Sequence, residues 1–333
     1  MHKDCRQIEM MQSFPSYSVA IRTLGTAGDK YVSELKSIRS QTLKPDGIFV
    51  YIPDGYEVEP VADEVYVRCD KGMVHQRSLP FDEIKSEYIL FLDDDVFLPD
   101  DAVEKLFAAL SQSGADCIAP VFYENHRLSW EKKVKIAFFA GTYPDHGTSW
   151  AFRVRRDAHY SYCNAPMEVM PSQSASFACF LCRKDAYADI HFEDERWMDT
   201  YGYALGDDQL FFYKLHLYGH KLAVHYNTGI IHLDARTSKV IDRKRIDYVS
   251  RLIRYVIWYR TIWQVDVTFS DRMKSAVALA ADALRSLAAC LCNLFMGRTY
   301  ALPNMFRAFR DGYAFVKSKD YRDIPPYMAH KKN

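Results

Sequence analysis

The stretch Tyr88-Ile-Leu-Phe-Leu-Asp93-Asp94-Asp95 decides the fold: a run of apolar residues that ends abruptly on three acids. An uninterrupted apolar run of this length reads as a strand covered on both faces. Three adjacent carboxylates repel one another unless a cation sits among them. Hard oxygen ligands of this kind suit Mg²⁺ or Mn²⁺, above all when phosphate oxygens complete the shell. The plainer reading of the same run is a solvated acidic turn or a helix cap.

Around this strand the first 120 residues alternate between short apolar runs and helical periodicity. Ser18–Arg22 is a strand closed by the Gly25/Gly28 loop, and Asp29 is placed to cap a helix from Lys30 to about Gln41. Ile48–Ile52 and Val65–Val67 are further strands. A helix is expected from about His75 to Lys85, another after Pro99, and a strand at Cys117–Val121. Strands alternating with helices across short loops imply an α/β fold, a mostly parallel sheet with helices on both faces. Ligands of such sheets bind at the carboxyl ends of the strands, which makes Arg22-Thr23, Asp54 and Asp93-Asp94-Asp95 suspect.

Periodicity lapses from Phe122 to Pro171, where polar, aromatic and His residues mix, and a long irregular insertion of this kind is commonly functional. It returns with a strand over Ala175–Cys182, a helix over Gly206–Tyr218 and two short strands, Leu222–His225 and Gly229–His232. From Lys239 onward the pattern is helical: Val240–Trp263, Asp271–Leu294 and Pro303–Lys317.

Composition excludes several classes. With 333 residues, 49% hydrophobic and 26% charged, the chain is neither disordered nor a small disulfide scaffold. Its 43 basic and 43 acidic residues cancel, so a uniformly basic nucleic-acid binder is excluded and no nucleic-acid partner is expected. The balance hides an asymmetry: residues from Lys239 onward carry +10 and those before it −10. The cysteines have no framework spacing. Cys179 and Cys182 fall three apart on a strand, hence on opposite faces, and cannot chelate one metal; buried thiols in a reducing cytoplasm are the expected state. The N-terminus lacks the apolar run of a signal peptide. Ala276–Phe295 has the length of a membrane span, but Asp282 and Arg285 in its middle would each cost roughly 2.5–3.5 kcal/mol. An amphipathic or buried helix is expected there.

Two other metal readings of the acid run fail on spacing. An EF-hand loop counted from Asp93 needs glycine at its sixth position, which is Leu98, and a haloacid-dehalogenase phosphatase pattern meets Phe97 in its last slot. Two further signals follow in the chain. Gly206-Asp207-Asp208 opens a helix that Gly219 closes, either as a favourable acidic N-terminus or as a general base poised to take a proton from a hydroxyl. His232 ends a strand, where a histidine is more often structural than a ligand.

These pieces, in this order, resemble the family 2 glycosyltransferases, and the likeness runs over about residues 17 to 235. Leu35-Lys-Ser-Ile-Arg-Ser-Gln-Thr42 is similar to that family's first helix, and Ile48–Asp54 to its second strand. Lys71-Gly72 through Arg77 is similar to its Gly-x-x-x-Ala-Arg segment, with Gln76 in place of Ala. Phe91–Asp95 matches its Asp-x-Asp motif, and Phe192–Glu195 followed by Gly206–Asp208 its paired acidic motifs. One departure is Arg22-Thr23-Leu24-Gly25, where the family often has Pro-Thr-Tyr-Asn. The nearest likeness is to bacterial surface-polysaccharide and galactofuranosyl-type transferases.

The resemblance implies a GT-A, Rossmann-like catalytic domain over 17–238, preceded by an extension (1–16) and followed by a basic helical region (239–333), with 122–171 on the acceptor side. It implies an inverting, metal-dependent transfer of a sugar from a UDP- or dTDP-sugar to a hydroxyl of a saccharide or lipid-linked acceptor. Mn²⁺ or Mg²⁺ would be held by Asp93, Asp95 and His232. Asp94, Asp54, Thr23, Gly72 and Arg77 would line the donor site. Asp208 would be the base, with Asp207 as alternative or orienter. Trp130, Tyr143 and Trp150 are candidate acceptor contacts or core residues.

In the basic tail, Arg243, Lys244, Arg245, Arg251, Arg254 and Arg260 surround Tyr255–Tyr259 and Trp263. That pattern fits either an anionic membrane surface, as a peripheral protein at the inner face of the plasma membrane, or helices packed on the catalytic domain. Two rivals remain. A nucleotidyltransferase of related fold would want a Gly-rich basic loop after strand one, of which Gly25-Thr-Ala-Gly28 is a faint version. A degenerate nucleotide-sugar-binding module would be expected to have lost Asp95, Asp208 and His232.

Overall fold

The computed structural model describes residues 14–122, 129–145, 149–163, 167–202, 205–233 and 242–331. Most of the expected N-terminal extension, Cys5 and parts of the 122–171 insertion lie outside them.

The first half contains β1 (Tyr17–Arg22), α1 (Asp29–Ser40), β2 (Ile48–Pro53), β3 (Val65–Cys69), α2 (Met73–Gln76), β4 (Tyr88–Asp93), β5 (Val96–Phe97), α3 (Ala102–Ser113) and β6 (Cys117–Pro120). Next come α4 (Trp130–Ala140), β7 (Tyr143–Pro144), β8 (Phe152–Val154), β9 (Tyr160–Tyr162), β10 (Val169–Ser172), β11 (Cys179–Arg183) and α5 (Lys184–Asp189). After a 3₁₀ segment, Phe192–Tyr201, follow α6 (Asp207–Tyr218), β12 (Leu222–His225) and β13 (Ile231–His232). The chain closes with α7 (Arg243–Trp258), extended by a π turn over Tyr259–Trp263, then α8 (Phe269–Phe295), α9 (Ala301–Lys317) and α10 (Lys319–Arg322).

Eight strands form one sheet in the order β10-β12-β6-β11-β4-β1-β2-β3. β3, β2, β1 and β4 run parallel, as do β6 and β12, whereas β11 is antiparallel between β4 and β6, and β10 is antiparallel at the edge. The fold is therefore α/β with a mixed, mainly parallel sheet and a C-terminal helical region. Strand β4 explains why both faces are covered: Ile89 and Phe91 join one hydrophobic cluster, Leu90 and Leu92 the other. The same alternation puts Cys179 in one cluster and Cys182 in the other, so the two thiols face apart.

Three local expectations are corrected. The helix expected over His75–Lys85 is only the α2 turn, because Pro80 forbids helix in the residue before it and Phe81 takes a positive φ of 52°. The strand expected from Ala175 begins at Cys179. Asp29 does not cap α1: Gly28 occupies the cap and Asp29 is the first helical residue. The 122–171 insertion is also less irregular than its sequence suggests. It holds α4, capped by the Ser129 hydroxyl, and the small β7-β9-β8 sheet.

The aromatic face of α7 points inward. Val249, Leu252, Ile253, Val256, Ile257 and Trp258 are buried in the cluster that also holds Phe91 and Phe211. The cations around it divide. Arg243, Lys244 and Arg245 are exposed. Arg254 donates to the Ala158 carbonyl at 2.6 Å and to Gln209 at 2.8 Å, and Arg260 is buried against Glu195 at 2.7 Å. This segment therefore packs its apolar and aromatic face on the central sheet.

Candidate functional site

Strands β1 and β4 lie side by side with Arg22 in register with Asp93, so their carboxyl ends deliver Arg22, Thr23 and the acid run to one place. Arg22 donates to Asp93 at 2.7 Å and to the Phe177 carbonyl at 3.0 Å. Arg77, just after α2, donates to the same Asp93 oxygen at 3.4 Å and pairs with Asp207 at the start of α6. Both guanidinium groups sit over the Phe177 ring, at 5.6 and 4.5 Å from its centroid. Burial lowers the Arg22 pKa to about 10, against the pull of Asp93.

The Thr23 hydroxyl donates to Asp94 and accepts from the Gly25 amide at 2.8 Å. Burial, then the neighbouring Asp93 and Asp95, pushes Asp94 up to about 6 despite the Thr23 hydrogen bond. Gly25 has φ 71°, and a Cβ there would lie 1.9 Å from the Glu57 carbonyl oxygen, so the turn that follows β1 admits only glycine.

Asp95 is buried, and its Oδ1 lies 2.9 Å from His232 Nε2, which β13 brings across by pairing antiparallel with β5. Beneath the acid run, Glu34 of α1 is fully buried. One of its oxygens accepts from the Val96 amide at 3.2 Å and the other has no partner. Burial first, with Asp94, Asp95 and Asp93 adding to it, holds this carboxyl well above its ordinary range. Asp234 lies outside the described residues.

Asp208 is half-buried beside Asp207, with its Oδ1 accepting from the Gln209 amide at 2.7 Å. Burial and then the Asp207 charge push it up to about 6. It opens on a cleft that Phe122, Phe152, Tyr160 and Ser176 also line. The aromatic residues singled out in the sequence lie elsewhere: Trp130 is 76% exposed on α4, Tyr143 stacks on Arg155, and Trp150 packs against His216.

The structure thus brings Thr23, Arg77, Asp93, Asp94 and Asp207 into one network, with Asp208 beside it and the Asp95–His232 pair adjoining. Asp54 is exposed at the end of β2, outside the network. Gly72 is placed for packing: a Cβ there would come within 2.5 Å of Asp199, whose carboxylate accepts from the Val74 and His75 amides. Sequence reasoning missed Phe177 and Glu34. Arg22 was suspect only for its place after a strand; its register with Asp93 is the signal that carries it further. A separate cluster, Asp157, His159 and Asp282, joins the β8–β9 turn to α8, but Arg285 already donates to Asp282 at 3.0 Å.

Residues 64–189, from β3 through α5, match the family model described as Glycosyl transferase family 2, so the resemblance read from the motifs holds over that stretch. No curated protein matches the chain. Among solved structures, GalNAc-T7 with UDP, GalNAc and Mn²⁺ is similar at 13% identity and a TM-score of 0.47, over 80% of this chain and 55% of that one. This chain thus spans about half the length of that protein. TarS from S. aureus, residues 1–349, is similar at 13% identity and a TM-score of 0.45, over 91% of each chain.

Proposed function

We propose that the chain transfers a sugar from a nucleoside diphosphate donor to an acceptor hydroxyl with inversion, using Asp208 as general base. The observation that carries this reading is the placement of Asp208. It is half-buried, raised to about 6, open to a cleft, and one residue from the Arg77-held Asp207 that faces the acid run. A carboxylate with a pKa near 6 is ionised at neutral pH yet basic enough to accept a proton as the hydroxyl attacks. Arg77 fixes Asp207, and through it the first turn of α6, so the base is held in one orientation.

Asp95 and His232, whose Oδ1 and Nε2 lie 2.9 Å apart, would hold a divalent ion, and Asp93 would join them only where its carboxylate leaves Arg22 and Arg77. When bound there, Mn²⁺ or Mg²⁺ supplies charge neutralisation for the leaving diphosphate. Asp94 and Thr23, joined by their hydrogen bond, would accept from and donate to donor hydroxyls. Arg22 and Arg77 supply fixed positive charge on the same side. Asp54 lies one strand further along the carboxyl edge, where it would meet the base.

The test is incubation of the purified chain with a panel of nucleotide sugars and Mn²⁺, Mg²⁺ or EDTA, following nucleoside diphosphate release by mass spectrometry. Metal-dependent release from one donor, abolished by Asp95→Ala, is the expected result. No release and no nucleotide binding by calorimetry across the panel would turn the reading toward a degenerate module.

A further inference from the structure

Helix α8 carries a second apolar stripe on its outer side. A helix packed on a soluble protein hides its apolar stripe and shows its polar one. Here the buried residues are Ser275, Asp282, Ser286, Ala289, Cys290 and Asn293, with Leu279 and Leu287 packed beside them, so the inner side is mixed polar and apolar. Those turned outward are Met273, Val277, Leu284, Leu291 and Phe295, from 44 to 94% exposed and recurring at steps of 4, 7, 7 and 4. The only charges between Lys274 and Arg298 are Asp282 and Arg285, which pair with each other on the inner side. The outer stripe is therefore an uncharged apolar ridge about 33 Å long.

We infer that this ridge, with the neighbouring faces of α4 and α9, docks onto an anionic lipid surface. Charge decides the occupant. The ridge is bounded by Arg272 and Lys274 at one end and Arg298 at the other, and α9 adds exposed Arg307 and Arg310 between exposed Phe306 and Tyr313. Asp271 pairs with Lys274 and Asp311 is shared by the two α9 arginines, so the surface keeps an excess of positive charge. A second copy of this chain meeting the ridge about a two-fold axis would bring the same cations against themselves. Anionic headgroups would neutralise them while the acyl boundary takes up the ridge. Helix α4, which packs on α8, extends the pattern with exposed Trp130 and Val134 next to exposed Lys132 and Lys135. Aromatic side chains interleaved with cations suit the headgroup level. The inward hydrogen bond from Arg285 to the Phe138 carbonyl ties α8 along α4, which favours a helix lying on the surface. Helix α8 is also long and apolar enough to cross a bilayer, the outcome that retention after carbonate would show. This surface is distinct from the basic α7 segment, whose apolar face is committed to the core while Arg243, Lys244 and Arg245 stay exposed.

The experiment is flotation of the full chain with vesicles of equimolar phosphatidylcholine and phosphatidylglycerol, and with phosphatidylcholine alone. The chain should float with the anionic vesicles, about tenfold less with the neutral ones, and should be released by alkaline carbonate. Leu284→Glu with Leu291→Glu should abolish flotation. Because those changes alter a long helix, Arg307→Glu with Arg310→Glu provides an independent arm, with binding to anionic vesicles falling by about tenfold or more. Flotation is read without turnover, so its outcome is separate from that of the donor-site reading. The proposal is overturned by a wild-type chain that floats with neither vesicle, by retention after carbonate, or by a soluble dimer that the two glutamates convert to monomer.

Discussion

Arg77 and Asp207 form a buried ion pair that ties the α2 turn to the first turn of α6. The same guanidinium reaches Asp93 at the end of β4, so one side chain spans the acid run and the start of α6. Arg77→Ala leaves both acids without this partner inside the protein, and breaking a buried pair from one side costs about 3–5 kcal/mol. Urea unfolding should show that loss, together with loss of turnover. Arg77→Lys keeps the charge but not the fork and should recover only part of each. An alanine variant as stable as the parent would show that the pair does not organise the site.

The pH dependence follows from Asp208. Its carboxyl is raised to about 6 from an ordinary 3.8, so turnover at limiting substrate should climb through pH 6 and fall about tenfold per unit below it. Asp207→Asn removes the like charge beside it and should move the rising limb to lower pH. The stability sign is opposite. A carboxyl with a raised folded pKa favours the folded state fully below about 3.8, and that contribution is lost as pH rises through about 6. Asp208→Asn should therefore melt higher than the parent above pH 6 while having no turnover. A variant equally stable at every pH would remove the basis for the raised value.

Metal affinity should divide the acid run. Asp95 faces His232, whereas the charge of Asp93 is matched by Arg22 and Arg77. Asp95→Asn and His232→Ala should each weaken Mn²⁺ binding by at least about tenfold, read from the resonance of free ion during titration. Asp93→Asn should weaken it less. Equal losses at all three would mean that Asp93 leaves its arginines when metal binds.

The parts of this molecule that were legible in the sequence are those with a local cause. The apolar run before Asp93 fixes a strand buried on both faces, and Gly206 and Gly219 bracket α6 because both adopt positive φ. What was hidden depends on chain crossing. β11 is as apolar as a parallel strand, and only its neighbours make it antiparallel. Phe177 reads as core in sequence and becomes the platform of two arginines once β11 sets its height. The basic aromatic segment of α7 reads equally as a membrane face or as packing, since composition does not say which way a helix is turned. The ridge of α8 shows the converse, where an amphipathic pattern is plain but its orientation comes only from the fold.

Glu195 ties the C-terminal region into the same core as the sheet. It is fully buried, accepts from Arg260 at 2.7 and 2.9 Å, and receives the Trp197 indole at 2.9 Å. The Lys214 ammonium lies 3.5 Å away. Arg260 in turn donates to the Pro325 carbonyl at 2.8 Å, and the Tyr327 hydroxyl donates to the Leu210 carbonyl. The 3₁₀ segment before α6, α7 and the last turns of the chain are thus fastened through one carboxylate. Arg260 and Lys214 hold it below its ordinary range against the cost of burial, so this contribution is present at neutral pH and is lost as pH falls through the lowered value. Glu195→Gln leaves two cations facing a neutral amide and should cost about 3–5 kcal/mol in urea unfolding. Removal of everything after residue 238 strips α7 from the cluster it shares with Phe91 and Phe211, and the remaining 238 residues should precipitate or show no cooperative melt. A soluble fragment of that length with a sharp transition would make the C-terminal helices an appended unit rather than part of the sheet's own fold.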